Sequence, residues 1–140
     1  MPVEPLIRFF ETLSPQSVAR IPEFYAANAR FKDPFNEVQG AAAIGHVFSH
    51  MFKQVDAPRF VVGERVVDAH GAVLVWEFHF GVRVWGRRRA QVIHGASHLK
   101  FAADGKVLLH RDYWDTGEEL YMKLPVLGLL MRTLRRWLAA

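Results

Sequence analysis

The amino-acid sequence predicts an α+β fold, with helices packed on a strongly curved, mostly antiparallel sheet that encloses an apolar pocket. Three observations predict it. Apolar residues recur at helical spacing as far as Phe52, and from Arg59 onward the period changes to two. Turn signals at His70-Gly71, Gly86 and Asp104-Gly105 divide the second region into a meander of long strands. Helices first and an antiparallel meander after them place the helices on one face of the sheet.

Taken in order, Val3, Leu6, Ile7, Phe10 and Leu13 mark a first amphipathic helix. Ser14-Pro15 reads as a helix start, with Ser as N-cap and Pro at the first helical position. Pro22 then predicts a kinked or split helix over Pro15 to Ala27. A short extended piece, Ala29 to Phe31, leads into Asp33-Pro34, where the proline disfavours the α region for Asp33. The spacing of Ile44, Val47, Phe48, Met51 and Phe52 predicts a helix over Ala41 to Phe52. Strands are expected over Arg59 to Ala69, Ala72 to Trp85, Arg89 to Phe101 and Val107 to Asp115. Glu118 to Lys123 follow, and after Pro125 an amphipathic helix runs to Leu138 within the tail 124–140. No linker, repeat or low-complexity tract appears, so 1–140 is expected to form a single domain able to bury one sizeable core.

Composition excludes several classes. Hydrophobic residues at 51% are too many for a disordered chain, and the apolar stretches are too short and too broken by charge to span a membrane. Met1-Pro2-Val3-Glu4-Pro5 lacks the basic and then apolar pattern of a secretory signal. Without cysteine there are no disulfides, thiolate metal sites or thiol nucleophiles, and a cytoplasmic location is expected. The net charge of +4 comes mostly from thirteen Arg, clustered at Arg87-Arg88-Arg89 and at Arg132, Arg135 and Arg136. No recognised nucleic-acid-binding motif surrounds the clusters, so no nucleic-acid partner is expected. They read as solvated charge at a hairpin tip and on a helix face.

Alternation assigns the strand faces. Leu74, Trp76, Phe78 and Phe80 share one side of the second strand and are expected inward; Val73, Val75, Glu77 and His79 share the other. In the third strand Ile93, Gly95, Ser97, Leu99 and Phe101 form the inward set, with His94, Ala96, His98 and Lys100 opposite. The last strand has no clean face: Leu108, His110, Asp112 and Trp114 alternate with Val107, Leu109, Arg111, Tyr113 and Asp115. If the first of these sets points inward, a His and an Asp enter an apolar concavity, the setting that tunes a carboxylate for general acid–base work near neutrality. Otherwise the strand end leaves the sheet, Asp112 is solvated and a backbone carbonyl satisfies His110. An ion pair from Asp112 to Arg111 or Arg83 on the outside would remove the catalytic reading.

Three segments carry a family resemblance. They are Phe31-Lys32-Asp33-Pro34 ahead of Gly40 and the helix with Ala43-Ile44, the Ala103-Asp104-Gly105-Lys106-Val107 hairpin, and His110-Arg111-Asp112-Tyr113-Trp114-Asp115. They resemble the nuclear-transport-factor-2-like superfamily, specifically its SnoaL-like members, over nearly the whole chain to about residue 123. The resemblance implies a cone: a bent sheet closed by helices, with a deep pocket at one end and dimers commonly packed through the sheet. In the ketosteroid isomerase branch, Asp33 matches the general base. The two oxyanion donors of that branch are not matched, because the first helix offers Phe9 or Phe10 and the strand offers Ser97 beside His98. The preferred alternative for Asp33 is a turn residue that accepts backbone N–H groups. In the limonene-epoxide hydrolase branch, Asp112 matches the base that activates water, but Trp76-Glu77-Phe78 stands where an Arg-x-Asp pair is needed. A shift of register that brought Glu77 and His79 inward would expose Trp76 and Phe78, and burial argues against it.

The expected site therefore has Asp112, His110 and Asp33 as catalytic candidates, with Trp76, Phe78, Gly95, Ser97, Leu99 and Trp114 contacting a small hydrophobic ligand. An enzyme of this kind would be a cofactor-independent isomerase, hydrolase or cyclase. The alternative is a non-catalytic ligand-binding or protein-interaction module. No metal is expected: His46 and His50 have the spacing of half a site but fall on the outer face, opposite Ile44, Phe48 and Met51, without a third ligand. His94 and His98 are assigned to the contact of a homodimer. In the tail, Leu127, Leu130, Met131, Leu134 and Leu138 form a stripe beside the arginines. It suits either an anionic membrane surface or packing across a dimer or over the pocket mouth. Packing is preferred, since one short helix has no second anchoring signal.

Overall fold

The computed structural model describes residues 3–116 and 125–139. The first helix, α1 (Glu4–Glu11), has Pro5 in its first turn, where a missing N–H costs nothing, and Glu4 beside the positive end of the helix dipole. It buries Leu6, Ile7, Phe9 and Phe10 against the sheet. Its polar edge is tied to the neighbouring strand: Glu4 pairs with Arg65, and Glu11 Oε2 accepts the Val62 N–H at 3.0 Å.

The segment after α1 differs from expectation. Ser14 and Ser17 cap each other reciprocally, each hydroxyl accepting the other's N–H at 3.0 and 2.8 Å. One turn of 3₁₀ helix (Ser17–Arg20) and one of α-helix, α2 (Ile21–Phe24), follow; Pro22 sits in the first turn of α2. The chain then turns straight into strand β1 (Tyr25–Lys32). The helix expected to reach Ala27 therefore stops three residues early, and Tyr25 belongs to the sheet. The physical reason is pairing: β1 runs parallel to the last strand, with Tyr25 opposite Val107. A short strand, β2 (Glu37–Gln39), absent from the sequence reading, pairs with β1 before α3 (Ala41–Gln54) crosses the sheet with Ile44 and Phe48 buried.

The meander follows as β3 (Asp56–Val67), β4 (Gly71–Val84), β5 (Arg87–Phe101) and β6 (Val107–Tyr113). The sheet order is β2-β1-β6-β5-β4-β3, antiparallel except for β1 beside β6. Breaks of register near Ala57 and at Gly63-Glu64 in β3, and a further break between β1 and β6, bend the sheet. Pro58 is tolerated because β3 is an edge strand. The helix α4 (Pro125–Leu138) ends the described chain, and the expected segment Glu118 to Lys123 lies outside the described residues.

One bulge corrects the face assignment of the last strand. Phe101 lies opposite Val107 and Lys100 opposite Leu109, so Leu108 is an extra residue on β6. Val107 is consequently buried and Leu108 exposed, the reverse of simple alternation. Beyond the bulge the expected order holds, with His110 and Asp112 inward. Leu99, expected to line the pocket, is instead fully buried in the core opposite His110. Leu99→Ala is expected to lower stability by about 2–5 kcal/mol in urea unfolding, because a core leucine leaves a cavity that relaxes only in part. A loss below about 1 kcal/mol would contradict its placement.

Candidate functional site

The inward faces of four adjacent strands place one line of polar side chains beneath an otherwise apolar surface. Tyr25 from β1 meets His110 Nδ1 at 2.7 Å, and His110 Nε2 meets Asp112 Oδ1 at 2.6 Å, both histidine and aspartate being on β6. Ser97 on β5 donates to the same Oδ1 at 2.5 Å and accepts the Trp76 indole N–H from β4 at 2.8 Å. Ser97 and Asp112 are direct cross-strand partners, which is why a hydroxyl stands at that inward position of β5. Both hydrogen bonds to Asp112 fall on Oδ1, and Oδ2 has no protein partner among the described residues.

Donor counting sets the proton positions. Burial first, and the charge of Asp112 second, push the Tyr25 phenol well above its usual value of about 10, so it remains a hydroxyl. That hydroxyl has one partner, His110 Nδ1, and no buried side-chain nitrogen or oxygen among the described residues is left without one. Tyr25 therefore donates to Nδ1, and the proton of a neutral imidazole sits on Nε2 and is given to Asp112. The histidine ring is enclosed by Phe31, Phe10, Tyr25 and Phe48, with centroids at 4.9, 5.6, 6.0 and 6.4 Å. Its side chain is 4% exposed, against 14% for Asp112. Of these two, the aspartate is the one that borders open space.

That space is a cavity of about 420 Å³. Phe31, Phe48, Phe60, Trp76, Phe78 and Trp114 line it together with the carboxylate of Asp112, whose side chain is mostly buried. Trp76 takes its position because Gly95 lies opposite it on β5: any Cβ at Gly95 would collide with the indole ring. Gly95 and Ser97 thus act through Trp76 and Asp112 and do not themselves form the wall. Asp33 lies at the rim with its carboxylate engaged locally, Oδ1 accepting the N–H groups of Phe35 and Asn36 at 2.8 and 2.6 Å. This is the turn geometry preferred for Asp33 from its proline neighbour. His46 and His50 are exposed, as expected of the outer helix face, yet they also border the cavity, with rings stacked 6.3 Å apart. Among the described residues no group of three or more His, Asp or Glu is arranged to hold a metal ion.

Two exclusions can be read directly. Arg83 pairs with Asp56 at 3.3 Å, and Arg111 lies over the Tyr113 ring at 4.7 Å, so neither neutralises Asp112. Glu77 points away from the cavity, between His79 and His94 at 3.4 Å each, so β4 keeps Trp76 and Phe78 inward. Sequence reasoning missed Tyr25, because a helix assigned to Ala27 gave it no sheet position; the alternation of Ala29 and Phe31 was the available signal.

The raised Tyr25 pKa has a stability consequence with a defined sign. Above the unfolded value of about 10 the unfolded chain loses a proton that the folded chain keeps, so stability falls as pH rises from there. Unfolding of wild type between pH 9 and 11 is expected to show an added slope of at most about 1.4 kcal/mol per pH unit, absent from Tyr25→Phe. Equal slopes in the two proteins would contradict a buried phenol at this position.

Residues 6–110 match the family model for the SnoaL-like domain. The chain is similar in structure to a protein provisionally named a SnoaL-like polyketide cyclase from Jannaschia Sp. CCS1, at 17% identity and a TM-score of 0.68, covering 81% of this chain and 84% of that one. A protein with the same provisional name from Shewanella putrefaciens CN-32 is 18% identical with a TM-score of 0.68, covering 88% of this chain and 99% of that one. A hypothetical protein of ketosteroid isomerase-like fold from Catenulispora acidiphila DSM 44928, in complex with trimethylamine, is 12% identical with a TM-score of 0.66, over 84% and 88% of the two chains. At these identities the structures show the shared fold alone. No curated protein matches the chain. The match over most of the sequence, together with the curved sheet closed by helices, establishes that this chain belongs to the SnoaL-like family, within the nuclear-transport-factor-2-like fold.

Proposed function

We propose that the protein binds a small hydrophobic molecule in the cavity above Asp112 and that Asp112 acts on it as a general base without a cofactor. The observation that carries this is the carboxylate itself. It borders a cavity walled in large part by aromatic rings, with one oxygen fixed by His110 and Ser97 and the other hydrogen-bonded to no protein group among the described residues. A buried carboxylate without a task would be a cost that an apolar residue avoids. Here Oδ2 is the atom that takes a proton from the bound molecule, or from a water attacking it, and the same carboxyl group returns the proton to the product.

His110 is assigned as a positioning residue and not as a proton shuttle, since four aromatic rings keep it from the cavity. Tyr25 and Ser97 support the same carboxylate from either side. Phe60, Trp76, Phe78 and Trp114 supply flat apolar walls suited to a ring system, and Asp33 and Asn36 supply a polar rim. Isomerisation, cyclisation and epoxide opening each use a base of this kind, with the oxyanion donors of the first and the acid pair of the last unmatched among the residues named above, and a compartment such as the cytoplasm suits a chain without cysteine.

The test is a thermal-shift and turnover screen of steroids, terpenes, their epoxides and polyketide-like aromatics on wild type and Asp112→Asn. One chemical class is expected to stabilise both proteins by binding the folded state, with turnover reduced about 10²- to 10⁴-fold in the variant. Turnover that survives the substitution would remove Asp112 as the base. A set of ligands that shifts neither protein would favour the non-catalytic interaction module.

A further inference from the structure

The helix α4 carries three arginines, Arg132, Arg135 and Arg136, and no acidic residue. At 100° per residue Leu130, Leu134, Trp137 and Leu138 fall on one side of it and the arginines on the other. Those four apolar side chains are exposed, Trp137 by 79% and Leu138 by 74%. A contiguous apolar stripe left in water marks a surface that meets a partner. No helix among the described residues is long and apolar enough to cross a membrane, so α4 is not a span.

A second exposed apolar group stands at the tip of β4 and β5. Val84 pairs with Arg87, leaving Trp85 and Gly86 as a two-residue turn with φ of 53° and 73°. Turns of this kind strongly favour Asn, Asp or Gly at the first position, because a left-handed backbone crowds a larger side chain. Trp85 holds that position at 98% exposure, followed directly by Arg87, Arg88 and Arg89. A strained, fully exposed indole beside three cations is poorly explained as solvated charge, and it suits the interface between lipid headgroups and acyl chains. β6 runs along β5 toward the end of the sheet that carries this turn, and α4 follows β6 in the chain.

We propose that α4 lies on an anionic membrane surface, with its leucines and Trp137 at the acyl boundary and its arginines among the headgroups, and that the Trp85 turn makes the second contact. One amphipathic helix alone binds such a surface weakly and reversibly; two signals make the attachment stable. The turn supplies the second signal that the tail lacks when read by itself. Charge decides against a second copy of α4 as the occupant. Stripe-to-stripe packing of two helices would leave Arg135 and Arg136 of each on the face away from the contact, where the second copy offers them no carboxylate, whereas anionic headgroups neutralise them. The proposal does not depend on the cavity or its ligand.

The test is co-sedimentation of the full chain with vesicles of phosphatidylcholine alone and of equal parts phosphatidylcholine and phosphatidylserine. Binding is expected to the mixed vesicles only, and to weaken as added salt screens the charges. Arg135→Gln with Arg136→Gln is expected to weaken partitioning roughly thirtyfold, about fivefold per charge. Trp85→Asn puts a favoured residue in the turn, and is expected to weaken binding while preserving or raising the melting temperature. No binding to mixed vesicles, equal binding to both kinds, or binding untouched by either variant would overturn the proposal. So would a dimer in ultracentrifugation that Leu134→Asp disperses.

Discussion

The shared oxygen of Asp112 is the constraint on which the inner face of the sheet depends. An imidazole N–H and a serine hydroxyl converge on Oδ1, and each is itself held by a further partner, Tyr25 on one side and Trp76 on the other. The line crosses β1, β6, β5 and β4 in their spatial order. A slip of one residue in any of these strands would turn a member of the line outward and leave its partner buried and unsatisfied, at a cost of about 1–3 kcal/mol for each group. The hydrogen bonds therefore fix register as well as orienting the carboxylate. The bulge at Leu108 serves the same end, since it lets β6 begin with Val107 in the core and still present His110 and Asp112 inward.

Around this line the aromatic residues divide the interior into a filled part and an open part. Phe10, Phe31 and Phe48 close over His110, the last two also facing the cavity that Phe60, Trp76, Phe78 and Trp114 border. Gly95 is the hinge between the two roles of β5. Its missing side chain admits the Trp76 indole, whose N–H reaches Ser97 because of that placement.

Much of this was legible in the sequence, and the parts that were not share a cause. The period-two runs of β4 and β5 gave Trp76, Phe78, Ser97 and the outward Glu77 correctly, since alternation is a local property of an extended chain. The inward turn of His110 and Asp112 was one of two open readings, and it was settled only by their partners. Those partners are 85 residues apart for Tyr25 and His110 and 15 for Ser97 and Asp112. Tyr25 was lost to a helix because Pro22 permits a helical turn, whereas the strand that follows is imposed by distant β6. Leu99 and Leu108 were misplaced for the same reason: core filling and bulges are set by neighbouring strands and leave little trace in the local pattern.

The proton positions along the line are the most direct point of test. Nitrogen-15 chemical shifts of His110 report whether Nδ1, Nε2 or both carry hydrogen. The expected result is hydrogen on Nε2 and a bare Nδ1, the ring donating to Asp112 and accepting from Tyr25. Hydrogen on Nδ1, alone or with Nε2, would contradict it: Tyr25 would then be the acceptor, and the donor chain from Tyr25 through His110 to Asp112 would be broken.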